Sequence, residues 1–190
     1  MRMKEISLPY EGQEYYELRL VGVTRMLPLV KVADNTWIAY YNDLGDVSVI
    51  EKSAEALAEK LKGCDILITS ESKGIALAHA ISRLLGHANY VVCRKEIKKS
   101  MLNPIVVRYK PITSGAELLL CIDSRSARLL EGKRVGVVDD VVSTRASMDA
   151  IEELVKKAGG KVRARAVMLA EGQERAGVIN LGVLPLFKKT

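Results

Sequence analysis

The order of elements readable in this 190-residue chain predicts an α/β fold, a mostly parallel sheet flanked by helices with a small β-rich segment ahead of it. Three observations carry the prediction. From about residue 51 onward, short apolar runs alternate with amphipathic stretches of helical period. Those stretches stop at glycines (Gly63, Gly86 and the Gly159-Gly160 pair), where helices commonly end. Ahead of them lie β-formers and turn residues without a helical pattern. Strand, helix, strand in succession favours parallel pairing, because a parallel partner is reached only through a crossover.

Residues 1–45 hold the runs YYELRLVGV, MLPLVKVAD and TWIAYY, punctuated by Asp34-Asn35 and Asn42-Asp43, and read as a small antiparallel unit. Residues 46–190 read as the core. Its first helix, Glu51 to Lys62, sets Ala54, Leu57, Ala58 and Leu61 on one stripe. Asp65 to Thr69 is a buried strand, Ser70 to Gly74 a turn, Ile75 to Leu85 a helix and Ala88 to Cys93 a strand. Further strands are expected at Ile105 to Tyr109, Glu117 to Ile122, Arg134 to Val138 and Arg163 to Leu169. Between about 95 and 117 the rhythm breaks into two strand-like runs around Pro111 to Gly115, a hairpin carrying a flexible loop.

The stretch Arg134 to Ala158 organises the rest. An apolar β-rich run ends in two adjacent acids, Asp139 and Asp140. The turn Ser143, Thr144, Arg145, Ala146, Ser147 follows, then a helix with Met148, Ile151, Leu154, Val155 and Ala158 on one face. Open α/β sheets bind ligands at the carboxyl ends of their strands. There the helix start favours an anion through unpaired N–H groups and the helix dipole, while the acids accept from sugar hydroxyls or help hold a hydrated Mg²⁺. A ribose with a phosphate at one end satisfies both. The plainer reading is a strand that happens to end in acids before a helix.

VVDDVVST resembles the phosphoribosyl-diphosphate (PRPP) motif of the type I phosphoribosyltransferases. The resemblance implies a Rossmann-like core with a β-rich hood. It puts Asp139 and Asp140 at the ribose hydroxyls, and Ser143, Thr144, Arg145, Ala146 and Ser147 around the 5′-phosphate. The family normally has glycine after the threonine, where this chain has Arg145. A second turn, TSESKG, resembles the Glu-x-x-Gly-Ile turn of the adenine and xanthine branch and implies diphosphate binding by Ser72, Lys73 and Gly74; the plainer alternative is a serine N-cap. The segment Arg94-Lys95-Glu96-Ile97-Lys98-Lys99 resembles the basic segment of purine enzymes, implying Arg94, Lys95 and Lys98 at the diphosphate, with Asp139, Asp140 and Lys95 as the catalytic residues. The implied activity joins PRPP and a purine base to give a nucleoside 5′-monophosphate and diphosphate. The implied cofactor is Mg²⁺, held by PRPP and water with no direct protein ligand, and the implied assembly a homodimer. The competing expectation is a PRPP- or nucleotide-sensing regulator with little catalysis, suggested by Arg145 and a pI near 9.2.

Bulk properties exclude other classes. A charge of +6, with basic residues spread along the chain and no nucleic-acid-binding motif, suits an anionic small molecule. Three dispersed cysteines (Cys64, Cys93, Cys121) show neither a C-x-x-C nor a metal spacing and read as reduced thiols. No apolar run approaches the ~18 residues of a membrane span, and the expectation is a cytoplasmic protein. G-x-x-x-x-G-K-[ST], G-x-G-x-x-G and G-x-S-x-G are all missing from the sequence.

Overall fold

The computed structural model describes residues 5–110 and 116–189. The chain enters through four strands: β1 (Ser7–Pro9), β2 (Tyr15–Leu20), β3 (Val23–Ala33) and β4 (Thr36–Ala39). It continues as α1 (Val47–Leu61), β5 (Ile66–Ser70), α2 (Gly74–Leu85), β6 (Val91–Cys93), β7 (Ile105–Tyr109) and β8 (Leu118–Ile122). Then come α3 (Ser124–Leu130), β9 (Arg134–Val142), α4 (Ala146–Lys157), β10 (Lys161–Glu171), β11 (Ile179–Leu184) and β12 (Leu186–Lys188).

The central sheet has the order β11-β10-β9-β5-β6, and every neighbouring pair in it is parallel. Central parallel strands are covered on both faces, which is why ILITS and VGVV read as unbroken apolar runs rather than alternating ones. On one face pack α1, α2 and the second sheet, around Leu57, Leu61, Leu77, Ile81, Val138 and Met168. The other face is filled by α4 and the β7–β8 hairpin, around Val107, Leu120, Val137, Met148, Ile151 and Leu154. Gly136 lies where a Cβ would come 2.7 Å from Leu67 Cδ2 of β5 and 3.4 Å from Leu61 Cδ2 of α1, so side chains of both elements pack directly on the β9 backbone.

The second sheet has the order β1-β12-β4-β3-β2. Its strands from the N-terminal segment are joined by β12, which pairs parallel with β1 and antiparallel with β4, so the boundary drawn at residue 45 is crossed by the end of the chain. Tyr10 stacks on Trp37 at 3.8 Å, and Phe187 from β12 meets Tyr16 edge-on.

Several elements differ from the sequence expectation. Helix α1 begins four residues early, at Val47, because Asp46 caps it by accepting from Val49 N–H. Helix α3 was not expected; it is short, and its signal is the cap Asp123, which accepts from the Ser126 N–H. Strand β9 continues through the two acids to Val142, since Val141 and Val142 pair with Leu169 and Ala170 of a β10 that is longer than expected at both ends. Strand β6 starts only at Val91. The hairpin β7–β8 forms as expected, but the tip from 111 to 115, on which the flexible-loop expectation partly fell, lies outside the described residues.

Leu57 is fully enclosed between α1 and the sheet. Leu57→Ala is expected to lose about 2–5 kcal/mol of unfolding free energy, read as a lower urea midpoint at unchanged slope. An unchanged midpoint would mean that α1 does not hold the sheet.

Candidate active site

The site assembles at the carboxyl ends of β5 and β9. Adjacent residues of a strand point to opposite faces, so Asp139 and Asp140 meet different surroundings. Asp139 is half-buried: the Ser70 hydroxyl lies 3.5 Å from its Oδ2 and the Asp140 N–H donates to its Oδ1 at 3.1 Å. Asp140 is 5% exposed and forms an ion pair with Lys73 Nζ, which also donates to the Tyr41 carbonyl at 3.2 Å.

Gly74 opens α2 against this pair. A Cβ there would fall 2.1 Å from Thr69 Oγ1 and 2.9 Å from Asp139 Oδ1, so only glycine lets the helix start sit on the acid. The Glu71-Ser72 peptide bond just ahead is cis. Glu71 ties this turn to the basic segment: it accepts from the Lys95 N–H at 2.7 Å and from Arg94 Nη1 at 2.9 Å. Those bonds, the Lys95 N–H foremost, hold its carboxyl below the ordinary range against the opposing effect of burial.

Burial, then the neighbouring Asp140, pushes the Asp139 carboxyl well above the ordinary carboxylate range. Burial pulls the Lys73 ammonium down, but Asp140 and Asp43 outweigh it and the net direction is up. Asp43 is 1% exposed and neither of its carboxylate oxygens has a hydrogen-bond partner among the described residues. Burial, and next to it the charge of Asp140, raises it to about 6.

A cleft of about 380 Å³ spans these groups. Of the residues expected from sequence, Asp139, Asp140, Ser72, Lys73, Lys95 and Ser147 line it, and Gly74 sits directly beneath Asp139. Tyr40, Asn42, Glu71 and Tyr109 line it as well and were not singled out. Only the Glu-x-x-Gly-Ile pattern marked Glu71 in the sequence; the others are brought in by the connection from β4 to α1 and by the hairpin. Arg94 and Lys98 face a neighbouring crevice with Ser126, and Lys98 pairs with Glu96. Ser143, Thr144, Arg145 and Ala146 form the turn at the N-terminus of α4, beside Ser147.

Arg145 has φ 68°, the left-handed region that favours glycine, and caps α4. Its guanidinium does not turn to the loop. It donates to the Ala176 carbonyl at 2.8 Å and lies 3.2 Å from Asp149 and 3.4 Å from Glu152, which also pairs with Arg165. The arginine thus takes the backbone conformation of the expected glycine while its charge is used elsewhere. Arg175, which drew no notice in the sequence, fastens the same turn: it donates to the Ser143 carbonyl and, at 3.0 Å, to the Glu171 carbonyl. Among the described residues no group of three or more His, Cys, Asp or Glu side chains could hold a metal ion.

Gly74→Ala is expected to cost about 1–3 kcal/mol of stability through overpacking against Thr69 and Asp139; an unaltered unfolding curve would show that the helix start yields freely. For Asp43, a folded-state value above the unfolded one means that the folded protein binds more protons between the two, so stability falls as pH rises from about 4 to about 6 and is level above. Asp43→Asn should remove this loss, and its melting temperature relative to wild type should rise between pH 4.5 and 7.5. A difference that is flat with pH would contradict the burial of the charge.

Residues 41–189 match the model of the phosphoribosyl transferase domain family. The adenine phosphoribosyltransferase of Mycoplasma mobile is 33% identical over 139 residues, covering 70% of this chain and 75% of that protein. The hypoxanthine/guanine phosphoribosyltransferase of Methanocella paludicola is 27% identical over 163 residues, 83% and 81% of the two chains. In fold, the Giardia lamblia APRTase complexed with 9-deazaadenine superposes with a TM-score of 0.66 over 83% of this chain and 93% of that one, at 17% identity. The two acids at the carboxyl end of a central parallel strand, the turn that opens the next helix and this extended likeness have one origin: the chain belongs to the type I phosphoribosyltransferase family, in its adenine and purine branch.

Proposed function

We propose that this PRPP-dependent enzyme transfers the 5-phosphoribosyl group to a purine base, adenine foremost, releasing diphosphate and a nucleoside 5′-monophosphate. One observation carries the reading. The pair Asp139–Asp140 lies at the foot of a cleft between the Ser72-Lys73 turn and the N-terminal turn of α4. Phosphate, diol and diphosphate follow one another along PRPP, and acceptors and donors follow in matching order here. Adenine is favoured because relatives at 33% and 32% identity carry the name adenine phosphoribosyltransferase, against 27% for the hypoxanthine/guanine relative.

In this reading the ribose hydroxyls donate to Asp139 and Asp140. The 5′-phosphate rests on the Ser143–Ser147 turn, whose serine and threonine hydroxyls donate alongside the unpaired N–H groups of the first turn of α4. Lys95, Ser72 and Lys73 face the diphosphate, with Arg94 and Lys98 further along the same segment. As the bond from C1 to the diphosphate loosens, negative charge gathers on the leaving group and positive charge on the ribose. Lysine ammonium groups stabilise the first and the acid pair the second, each more in the transition state than in the ground state. No nucleophile from the protein is required; holding base and PRPP in line supplies much of the acceleration. Tyr109, at the end of β7, brings the hairpin to the cleft, where closure would exclude water. In this reading Mg²⁺ would be carried by the diphosphate and water, beside Asp139 and Asp140, and when bound it would neutralise leaving-group charge.

A homodimer and a cytoplasmic setting belong to the same proposal; no described helix is long and apolar enough to cross a membrane. The regulatory alternative leaned on Arg145, and that residue adopts the glycine-like backbone with its guanidinium tied outside the turn.

With PRPP and Mg²⁺, the purified protein is expected to form a monophosphate from adenine faster than from hypoxanthine, guanine or xanthine. Asp139→Asn and Asp140→Asn should each lower kcat/KM by on the order of 10²-fold. Folded protein that makes no product with any base would overturn the proposal.

A further inference from the structure

Arg175, in the connection from β10 to β11, bonds to partners of one kind only. Its guanidinium donates to main-chain carbonyls: from Nε to Ser143, from Nη2 to Glu171 at 3.0 Å, and from Nη1 to Gln173 and to Glu174, the latter at 3.2 Å. Glu171, Gln173 and Glu174 lie between the end of β10 and Arg175 itself, whereas Ser143 belongs to the turn that opens α4. No carboxylate among the described residues comes within ion-pair distance of Arg175. Its neighbours differ: Arg145 spends its charge on Asp149 and Glu152, and Arg165 spends its own on Glu152. A guanidinium keeps its proton in proteins, so a positive charge that no acid cancels stands half-buried against the turn.

The contact is reciprocal. Arg145 of the turn donates back to the Ala176 carbonyl at 2.8 Å, so two guanidinium groups clasp residues 143–145 to residues 171–176. What the clasp fixes follows from peptide geometry. Across a trans peptide the carbonyl oxygen and the next N–H point in opposite directions. With the Ser143 carbonyl drawn to Arg175, the Thr144 N–H is turned away from that guanidinium. Among the described residues the N–H groups of Thr144, Arg145, Ala146 and Ser147 donate to no acceptor. Packing alone does not call for such a brace. A guanidinium without an acid is costly to desolvate, and apolar side chains would hold the turn at least as well. Charge and a rigid fork of donors are what apolar packing lacks.

We propose that Arg175 is a positioning residue for the 5′-phosphate: by holding the Ser143 carbonyl aside it keeps the main-chain N–H groups of the α4 turn aimed at the phosphate, and its unspent charge favours an anion there. Without the fork the Ser143 peptide is free to rotate, and the turn then presents a carbonyl oxygen where the phosphate needs a donor. The effect is confined to the sugar-phosphate end of the ligand, because the diphosphate faces the Ser72-Lys73 turn and Lys95 instead. This inference rests on the reading of the cleft as a PRPP site.

The test is calorimetric titration of wild type, Arg175→Met and Arg175→Lys with ribose 5-phosphate, PRPP and inorganic diphosphate with Mg²⁺, alongside thermal unfolding and steady-state kinetics in PRPP. Arg175→Met should weaken ribose 5-phosphate and PRPP by a common factor of roughly 10 to 100, the range expected when charge-assisted hydrogen bonds are lost. Diphosphate should bind as it does to wild type, and KM for PRPP should rise by more than kcat falls. Arg175→Lys keeps the charge but not the planar fork, so it should recover at most part of the loss. Sugar-phosphate affinity unaltered in folded Arg175→Met, or restored in full by Arg175→Lys, would overturn the inference. Equal weakening of diphosphate and ribose 5-phosphate would reduce Arg175 to a structural role and overturn it as well. Should Arg175→Met fail to fold, Arg175→Lys carries the decision: it must lose affinity for ribose 5-phosphate while keeping that for diphosphate. Wild-type protein that binds neither ribose 5-phosphate nor PRPP would instead remove the reading of the cleft itself, a result distinct from tight binding that ignores Arg175.

Discussion

Two neighbouring carboxylates held at low solvent exposure are the constraint on which the rest of the site depends. Each would be costly alone in the interior, and side by side they repel. The chain meets that cost with one lysine, a serine hydroxyl and a glycine. Lys73 compensates Asp140, Ser70 and the Asp140 N–H approach Asp139, and Gly74 leaves room for the acid where any side chain would collide. Because β5 and β9 pair in parallel, the turn after one and the acids of the other arrive at the same edge of the sheet. The acid pair therefore faces both the TSESKG turn and the turn that opens α4.

The turn that opens α4 shows how a departure from a family pattern is absorbed. A positive φ is what glycine usually supplies, and Arg145 bears it at a cost of about 1–2 kcal/mol. Its guanidinium offsets that by bonding to Ala176 and joining the Glu152–Arg165 pair, which fixes the turn to α4 and to the β10–β11 connection. Arg175 does the same from the other side through the Ser143 carbonyl. The loop is thus held by two guanidinium groups, its own Arg145 reaching out and Arg175 reaching in.

The elements that could be read from the chain were those with a local cause. Glycine stops, apolar runs and helical stripes placed α1, α2, α4 and the central strands to within a few residues. The runs DILIT and VGVVDDVVST contain their own explanation, since buried parallel strands need apolar residues on both faces. Where pairing partners set the boundary, reading failed: β9 and β10 extend each other beyond the point where either sequence looks like a strand. Helix α3 is too short to show a period. Among the site residues, Asp139, Asp140, Ser72, Lys73, Lys95 and Ser147 were legible because motifs mark them, and they share one cleft. Arg94 and Lys98 were read from the same basic run as Lys95 but face aside, since a charged run does not encode which of its side chains turns inward.

By itself the sequence determined the parallel core, the two turns at its edge and the acid pair, because each follows from the chemistry of a short contiguous stretch. Tertiary structure alone decided what those charges face. Lys73 rests on Asp140, Asp43 is sealed behind them, Arg145 turns away from its loop, and β12 returns to complete the sheet begun by β1. The physical reason is range. Dihedral preference and hydrophobic period act over a few residues, whereas the field at a buried carboxylate is set by whichever groups folding brings within several ångströms of it, from anywhere along the chain.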